Sequence, residues 1–99
     1  MLHIVNKSPL ERSTLDSCLA AAQPGAAVLL IEDGVYAATR GNAAAAKLAA
    51  AMGNLEIYVL APDLDARGMG QSLAEGVKTT DYAGFVELVV KHKNCQSWL

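Results

Sequence analysis

Few side chains in this 99-residue chain are of types that do chemistry at neutral pH. There are two cysteines, Cys18 and Cys95, two histidines, His3 and His92, and acids clustered after apolar runs. A reactive cysteine needs thiolate character, supplied by a helix N-terminus or a neighbouring cation. Cys18 falls on an apolar helical stripe with Leu15 and Leu19, and the acids Glu11 and Asp16 lie close by in sequence. Those neighbours raise a thiol pKa, and a helix started near Ser8 puts Cys18 beyond the first turn, where the dipole acts. Cys18 is thus either a small core hydrophobe or a site of sulfur chemistry. Cys95 sits in a polar tail beside Lys91, His92 and Lys93, cations that favour a thiolate. His3 reads as a hydrogen-bonded strand histidine, and Trp98 as an anchor, either on its own sheet or at an interface.

The acids Glu32, Asp33, Asp63, Asp65 and Asp81 follow runs that read as strands. In open α/β sheets the carboxyl ends of strands are where ligands sit. A few carboxylates there suit Mg²⁺, which makes a small metal- or phosphate-binding module one alternative. Against it, Asp81 also reads as a helix cap, Asp33 as a turn residue before Gly34, and Asp63 and Asp65 as solvated. Gly68-Met69-Gly70 lacks the third glycine and the helix start of a phosphate-cradling loop. No Ser-His-Asp or Cys-His-Asp set can be assembled, so any chemistry here is thiol chemistry.

The elements that position these residues alternate strand and helix. Leu2 to Val5 is an apolar strand. Ser8-Pro9-Leu10-Glu11 carries a capping serine, a first-turn proline and an acid three residues after the cap, which predicts a helix start. Leu15, Cys18, Leu19 and Ala22 continue one helical face. Ala27 to Ile31 is continuously apolar, as in a strand buried on both faces of a parallel sheet. A short helical piece over Val35 to Thr39 follows, then an alanine-rich helix capped by Asn42 and stopped at Gly53. Leu55 to Leu60 is a third strand, Ala61 to Gly68 a turn with a short helix, Met69 to Gly76 a polar loop, and Val77 to Thr80 a weak fourth strand. Asp81 caps a last helix with the apolar stripe Tyr82, Phe85, Val86, Val89 and Val90. Cys95 to Leu99 is a tail or edge strand. The pattern predicts one α/β domain over residues 1–99, with a mostly parallel sheet of four to five strands and helices on both faces.

Composition narrows the classes. The chain is 53% hydrophobic and 18% charged, with 8 Lys and Arg against 10 Asp and Glu. That excludes a disordered chain and a basic nucleic-acid surface. Pro24 and Gly25 interrupt the longest uncharged stretch, which is too short to span a membrane. No secretory signal is evident, and two cysteines make no disulfide framework, so free thiols in the cytoplasm are expected. Surplus apolar surface on a small body implies a partner.

Several motifs occur in the order of one family. They are Met1-Leu2-His3-Ile4-Val5-Asn6-Lys7-Ser8-Pro9, Leu15-Asp16-Ser17-Cys18-Leu19 and Val28 to Ala38 with its Glu32-Asp33-Gly34-Val35-Tyr36 centre. Further along come Tyr58-Val59-Leu60, Asp63-Leu64, Ala66-Arg67-Gly68, Asp81 to Val86 and Gln96-Ser97-Trp98. The chain resembles the DsrH/TusB family over nearly its whole length. That resemblance implies a DsrE-like fold and a subunit of a cytoplasmic heterohexamer, with two copies each of three homologous chains. The partners it implies are DsrE/TusD-type and DsrF/TusC-type subunits and a DsrC/TusE-type acceptor of persulfide sulfur. It implies no cofactor, no metal, and no direct contact with nucleic acid or membrane. The end product is 2-thiouridine in tRNA or, in the Dsr branch, oxidised sulfur. The family's main persulfide cysteine lies on a sister subunit, near the end of the third strand and before an Arg-Gly. The matching stretch here, Ile57 to Pro62 before Arg67-Gly68, has no cysteine, and Leu60 stands near that place. Cys18 matches a cysteine of DsrH-like members. It is the one auxiliary persulfide site to expect, and the full set of DsrH-like matches, Cys18 included, leans the reading toward the Dsr branch.

Overall fold

The computed structural model describes residues 1–9, 13–41 and 43–98. Five strands form one sheet: β1 (Leu2–Val5), β2 (Ala27–Leu30), β3 (Glu56–Leu60), β4 (Lys78–Thr80) and β5 (Cys95–Trp98). The order across the sheet is β4-β3-β2-β1-β5, and every pairing is parallel. The four helices are α1 (Thr14–Ala21), α2 (Ala43–Ala51), α3 (Ala61–Ala66) and α4 (Tyr82–Lys91). A 3-10 segment covers Glu32–Ala38.

Parity along the strands sorts the two faces. Val5, Val28, Leu30, Ile57 and Val59 point to the first face, where Leu15 and Cys18 of α1, Val35 of the 3-10 segment, Leu48 of α2 and Leu64 of α3 pack on them. Leu2, Ala27 and Leu29 point to the second face, where only α4 packs, through Leu88 and Phe85. Helices therefore lie on both faces, as the alternating pattern predicts, but unequally. β2 is buried at all four residues because it is central and covered on each side.

Three sequence expectations change. Helix α1 begins at Thr14, not near Ser8. Its buried residues are Leu15 and Cys18. The proposed partner of Ser8 in a capping pair, Glu11, lies outside the described residues, as do the Asn42 cap and Leu99. The helical piece after β2 starts earlier than predicted, at Glu32, and is 3-10 in type. Within the stripe of α4, Phe85 turns inward, whereas Tyr82, Val86, Val89 and Val90 remain exposed. Asp81 caps α4 as expected: its Oδ1 accepts the Gly84 N–H at 2.8 Å, worth about 1 kcal/mol.

Candidate functional site at the carboxyl edge of the sheet

The carboxyl ends of β1 and β2 are tied together by backbone approach before any side chain acts. The Ile31 N–H donates to the Val5 carbonyl at 3.0 Å, and the Gly34 N–H donates to the Ile31 carbonyl at 2.8 Å. Gly34 lies so close to β1 that a Cβ at this position would stand 2.3 Å from the Val5 carbonyl oxygen. Between them, Glu32 adopts φ of +48°, a left-handed conformation that costs a non-glycine residue of order 1 kcal/mol or more. The compensation is visible: the Glu32 N–H donates to Asp63 Oδ2 at 2.7 Å, a charge-assisted bond.

Arg67, at the C-terminal end of α3, closes the edge. Its Nε and Nη2 both lie 3.0 Å from Asp33 Oδ1, and its Nη1 donates to the Asp63 carbonyl at 3.1 Å. Asp33 is half exposed in this pair, so the pair stabilises the fold by less than about 1 kcal/mol. Its effect is positional: it fixes the 3-10 segment against α3. Three of the acids at these strand ends are thus occupied. Asp63 holds a strained turn, Asp33 pairs with Arg67, Asp81 caps α4, and Asp65 is exposed. Among the described residues, no three of His, Cys, Asp and Glu group as metal ligands.

Neither thiol is at this edge. Cys18 is fully buried on the first face, and burial pushes its thiol up to about 11. At neutral pH it is a protonated thiol without access to solvent. Cys95 is exposed but opens β5 opposite Leu2, at the amino edge of the sheet. Leu60, which ends β3, is buried.

His3 is also buried. Its Nδ1 accepts the Trp98 Nε1–H at 3.0 Å, which assigns the proton of the neutral ring to Nε2. Burial, and secondarily the amino-terminal charge, lower its pKa. The indole tilts against the imidazole at a centroid distance of 6.0 Å. Trp98 therefore anchors its own sheet. Sequence reasoning missed Asn6, which follows β1 and whose Oδ1 is buried without a hydrogen-bond partner. It also missed Arg67 as the lock of the edge, although Arg67 stood within a recognised motif.

Comparison with known proteins gives the same frame. A family model described as DsrH like protein matches residues 7–95. Protein TusB of Pectobacterium parmentieri is 38% identical over 98 residues, covering 99% of this chain and all of the relative. Protein TusB of Salmonella dublin is 40% identical over 74 residues, covering 75% of this chain and 76% of its own. Among solved structures, the ychN protein of E. coli superimposes with a TM-score of 0.77 at 16% identity over 97% of both chains. MTH1491 of Methanobacterium thermoautotrophicum gives 0.72 at 19%, over 97% of this chain and 95% of its own. Those two likenesses speak to the fold. The family match includes β2, β3, β4, the 3-10 segment and the Arg67 lock, and the Pectobacterium relative covers 99% of the chain; the chain belongs to the DsrH/TusB family.

Proposed function

We propose that the chain is an auxiliary subunit of a cytoplasmic sulfur-relay assembly, which shapes and supports a partner's site and carries no sulfur itself. One observation supports this most. The carboxyl edge, where a relay thiol would need to stand, is filled by a fixed network of Glu32, Asp33, Asp63 and Arg67, and the end of β3 is a buried leucine. Sulfane sulfur moves when an acceptor thiolate attacks the outer sulfur of a persulfide. The old S–S bond breaks, a new one forms, and the donor leaves as thiolate with no outside oxidant or reductant. Such a step needs thiolate and access. Cys18 has neither, because it is buried and titrates at about 11. In this reading Cys18 packs α1 on the sheet, and the sulfur is held by a DsrE/TusD-type chain.

The fold supports this reading. An edge fixed by backbone hydrogen bonds presents the same surface whether or not sulfur is being passed. The curated relatives are named TusB, which favours the branch that ends in 2-thiouridine of tRNA. The lean toward the Dsr branch rested on the full set of DsrH-like matches, of which Cys18 loses its chemical force by burial.

Co-expression with homologous TusC-type and TusD-type chains tests the assembly. Native mass spectrometry is expected to show one complex containing all three chains in equal numbers. A chain that purifies away from both partners would refute the proposal.

A further inference from the structure

We propose that a cavity at the amino edge of the sheet binds a small uncharged amide, whose carbonyl oxygen accepts a hydrogen bond from His3 Nε2. The site lies at the edge opposite the carboxyl network and does not rest on the relay reading. The cavity has a volume of about 330 Å³, and its lining comes from the amino ends of β1 and β5 and from the turn between α1 and β2. That volume is at the lower end of the range for small-molecule pockets.

His3 is the polar group that needs a partner there. It is only 3% exposed, yet it lines the cavity. Its Nδ1 is spent on the Trp98 indole N–H, so the one proton of the neutral ring is on Nε2. Among the described residues that N–H has no hydrogen-bond acceptor. A buried donor is costly to leave unpaired. The indole also fixes what the ring can offer. With Nδ1 held as an acceptor, Nε2 is a donor only: it meets a lone pair and does not ligate a metal. A second proton would set imidazolium against the indole N–H, so the ring stays neutral and offers an anion no charge.

The walls decide the rest of the ligand. Pro24 and Gly25 are the centre of a tight turn. Gly25 has φ of +88°, and the Ala26 N–H donates to the Gln23 carbonyl at 3.1 Å, as in a type II turn. The Gly25 N–H donates to the Asn54 carbonyl at 2.7 Å and the Ala27 N–H to the Met1 carbonyl at 3.2 Å. These backbone donors are used within the fold, so the wall is built before a ligand arrives. Ala21, Pro24 and Ala26 supply apolar surface, and Gln23 and Gln96 supply carboxamides, each with donors and an acceptor. No acid, lysine or arginine lines the cavity. The amino-terminal charge acts on His3 only behind burial. A fixed donor, two donor–acceptor groups and uncharged walls fit a molecule with C=O and N–H on a small hydrocarbon frame. An amide has that set. A carboxylate or an amine brings a charge that no lining side chain balances.

The test is 2-pyrrolidinone, titrated into the full chain while the His3 ring nitrogens and the glutamine side-chain amides are followed by 15N nuclear magnetic resonance. A saturable shift of His3 Nε2 is expected, with a dissociation constant of roughly 1–10 mM for so small a molecule. Cyclopentanone, which keeps the carbonyl and lacks the N–H, is expected to bind about tenfold more weakly, and propionate not at all. His3→Phe removes the donor and is expected to weaken binding by about tenfold or more. It also takes the acceptor from the Trp98 indole, so a second variant keeps the test independent of stability. Ala21→Leu, at an exposed position, fills the cavity with His3 in place and is expected to abolish the shift. The absence of a saturable shift at about ten times the expected constant overturns the proposal. So does propionate or cyclopentanone binding as tightly as 2-pyrrolidinone, or an Ala21→Leu chain that binds like the wild type. None of these outcomes bears on whether the chain joins TusC-type and TusD-type partners, so the two proposals fail separately.

Discussion

Gly34→Ala is expected to lower the melting temperature by roughly 15 °C, equivalent to about 3 kcal/mol for a domain of this size. The new methyl would stand 2.3 Å from the Val5 carbonyl oxygen and 3.0 Å from its carbonyl carbon. Neither atom can yield. Val5 is paired to β2 on one side and β5 on the other, and its carbonyl already accepts the Ile31 N–H. Relief comes only by lifting the 3-10 segment away from β1. That movement releases the Glu32–Asp63 and Arg67–Asp33 contacts and withdraws Val35 from the core. Thermal unfolding followed by circular dichroism checks this. A loss of only a few degrees would show that the segment can be moved at little cost and that the carboxyl edge is not rigid.

Trp98→Ala is expected to cost a similar amount, about 3 kcal/mol, the low end for truncating a tryptophan because the indole is only half buried. The indole packs on the first-face core and donates its N–H to His3 Nδ1. Trp98→Phe retains most of the packing but leaves that nitrogen unsatisfied, for a loss of about 1–2 kcal/mol. The pair also sets a pH dependence. In the fold the His3 pKa is lowered, first by burial, so below about 6.5 the unfolded chain takes up a proton that the folded chain resists. Stability is therefore full above that value and falls as the pH drops below it. Protonation would also set two donors, imidazolium Nδ1–H and indole N–H, against each other. Trp98→Ala opens His3 to water, so its acid-side slope is expected to be shallower than that of the wild type. His92, whose pKa is lowered too, contributes equally to both chains and cancels in the comparison. Equal slopes in melting experiments between pH 7.5 and 5.0 would refute the assignment.

Much of this was legible in the residues. The strands announce themselves as short apolar runs between turn residues, and Asp81 declares its cap. The packing of Cys18 was visible in its spacing from Leu15 and Leu19. What was hidden depends on parts of the chain far apart in sequence. Gly34 reads as an ordinary turn glycine until β1 passes under it. The left-handed Glu32 makes sense only with Asp63, 31 residues on, and Trp98 meets His3 across 95 residues because β5 crosses to the far side of β1. The strip of α4 looked like a buried helix face by periodicity, since periodicity reports that a stripe exists and not what covers it. The lone helix on the second face follows from topology: α1, α2, α3 and the 3-10 segment all connect neighbouring strands on one side, and only the α4 crossover to β5 takes the other.

The central claim is that this chain serves a relay without holding sulfur. The direct measurement is the intact mass of each subunit after the co-purified assembly, with Cys95→Ser in this chain, is incubated with a persulfide donor and then freed of it. The expected result is an unchanged mass for this chain and one added sulfur atom on a partner subunit. One added sulfur on this chain, lost again when Cys18→Ser is combined with Cys95→Ser, would make the buried thiol a carrier and contradict the account.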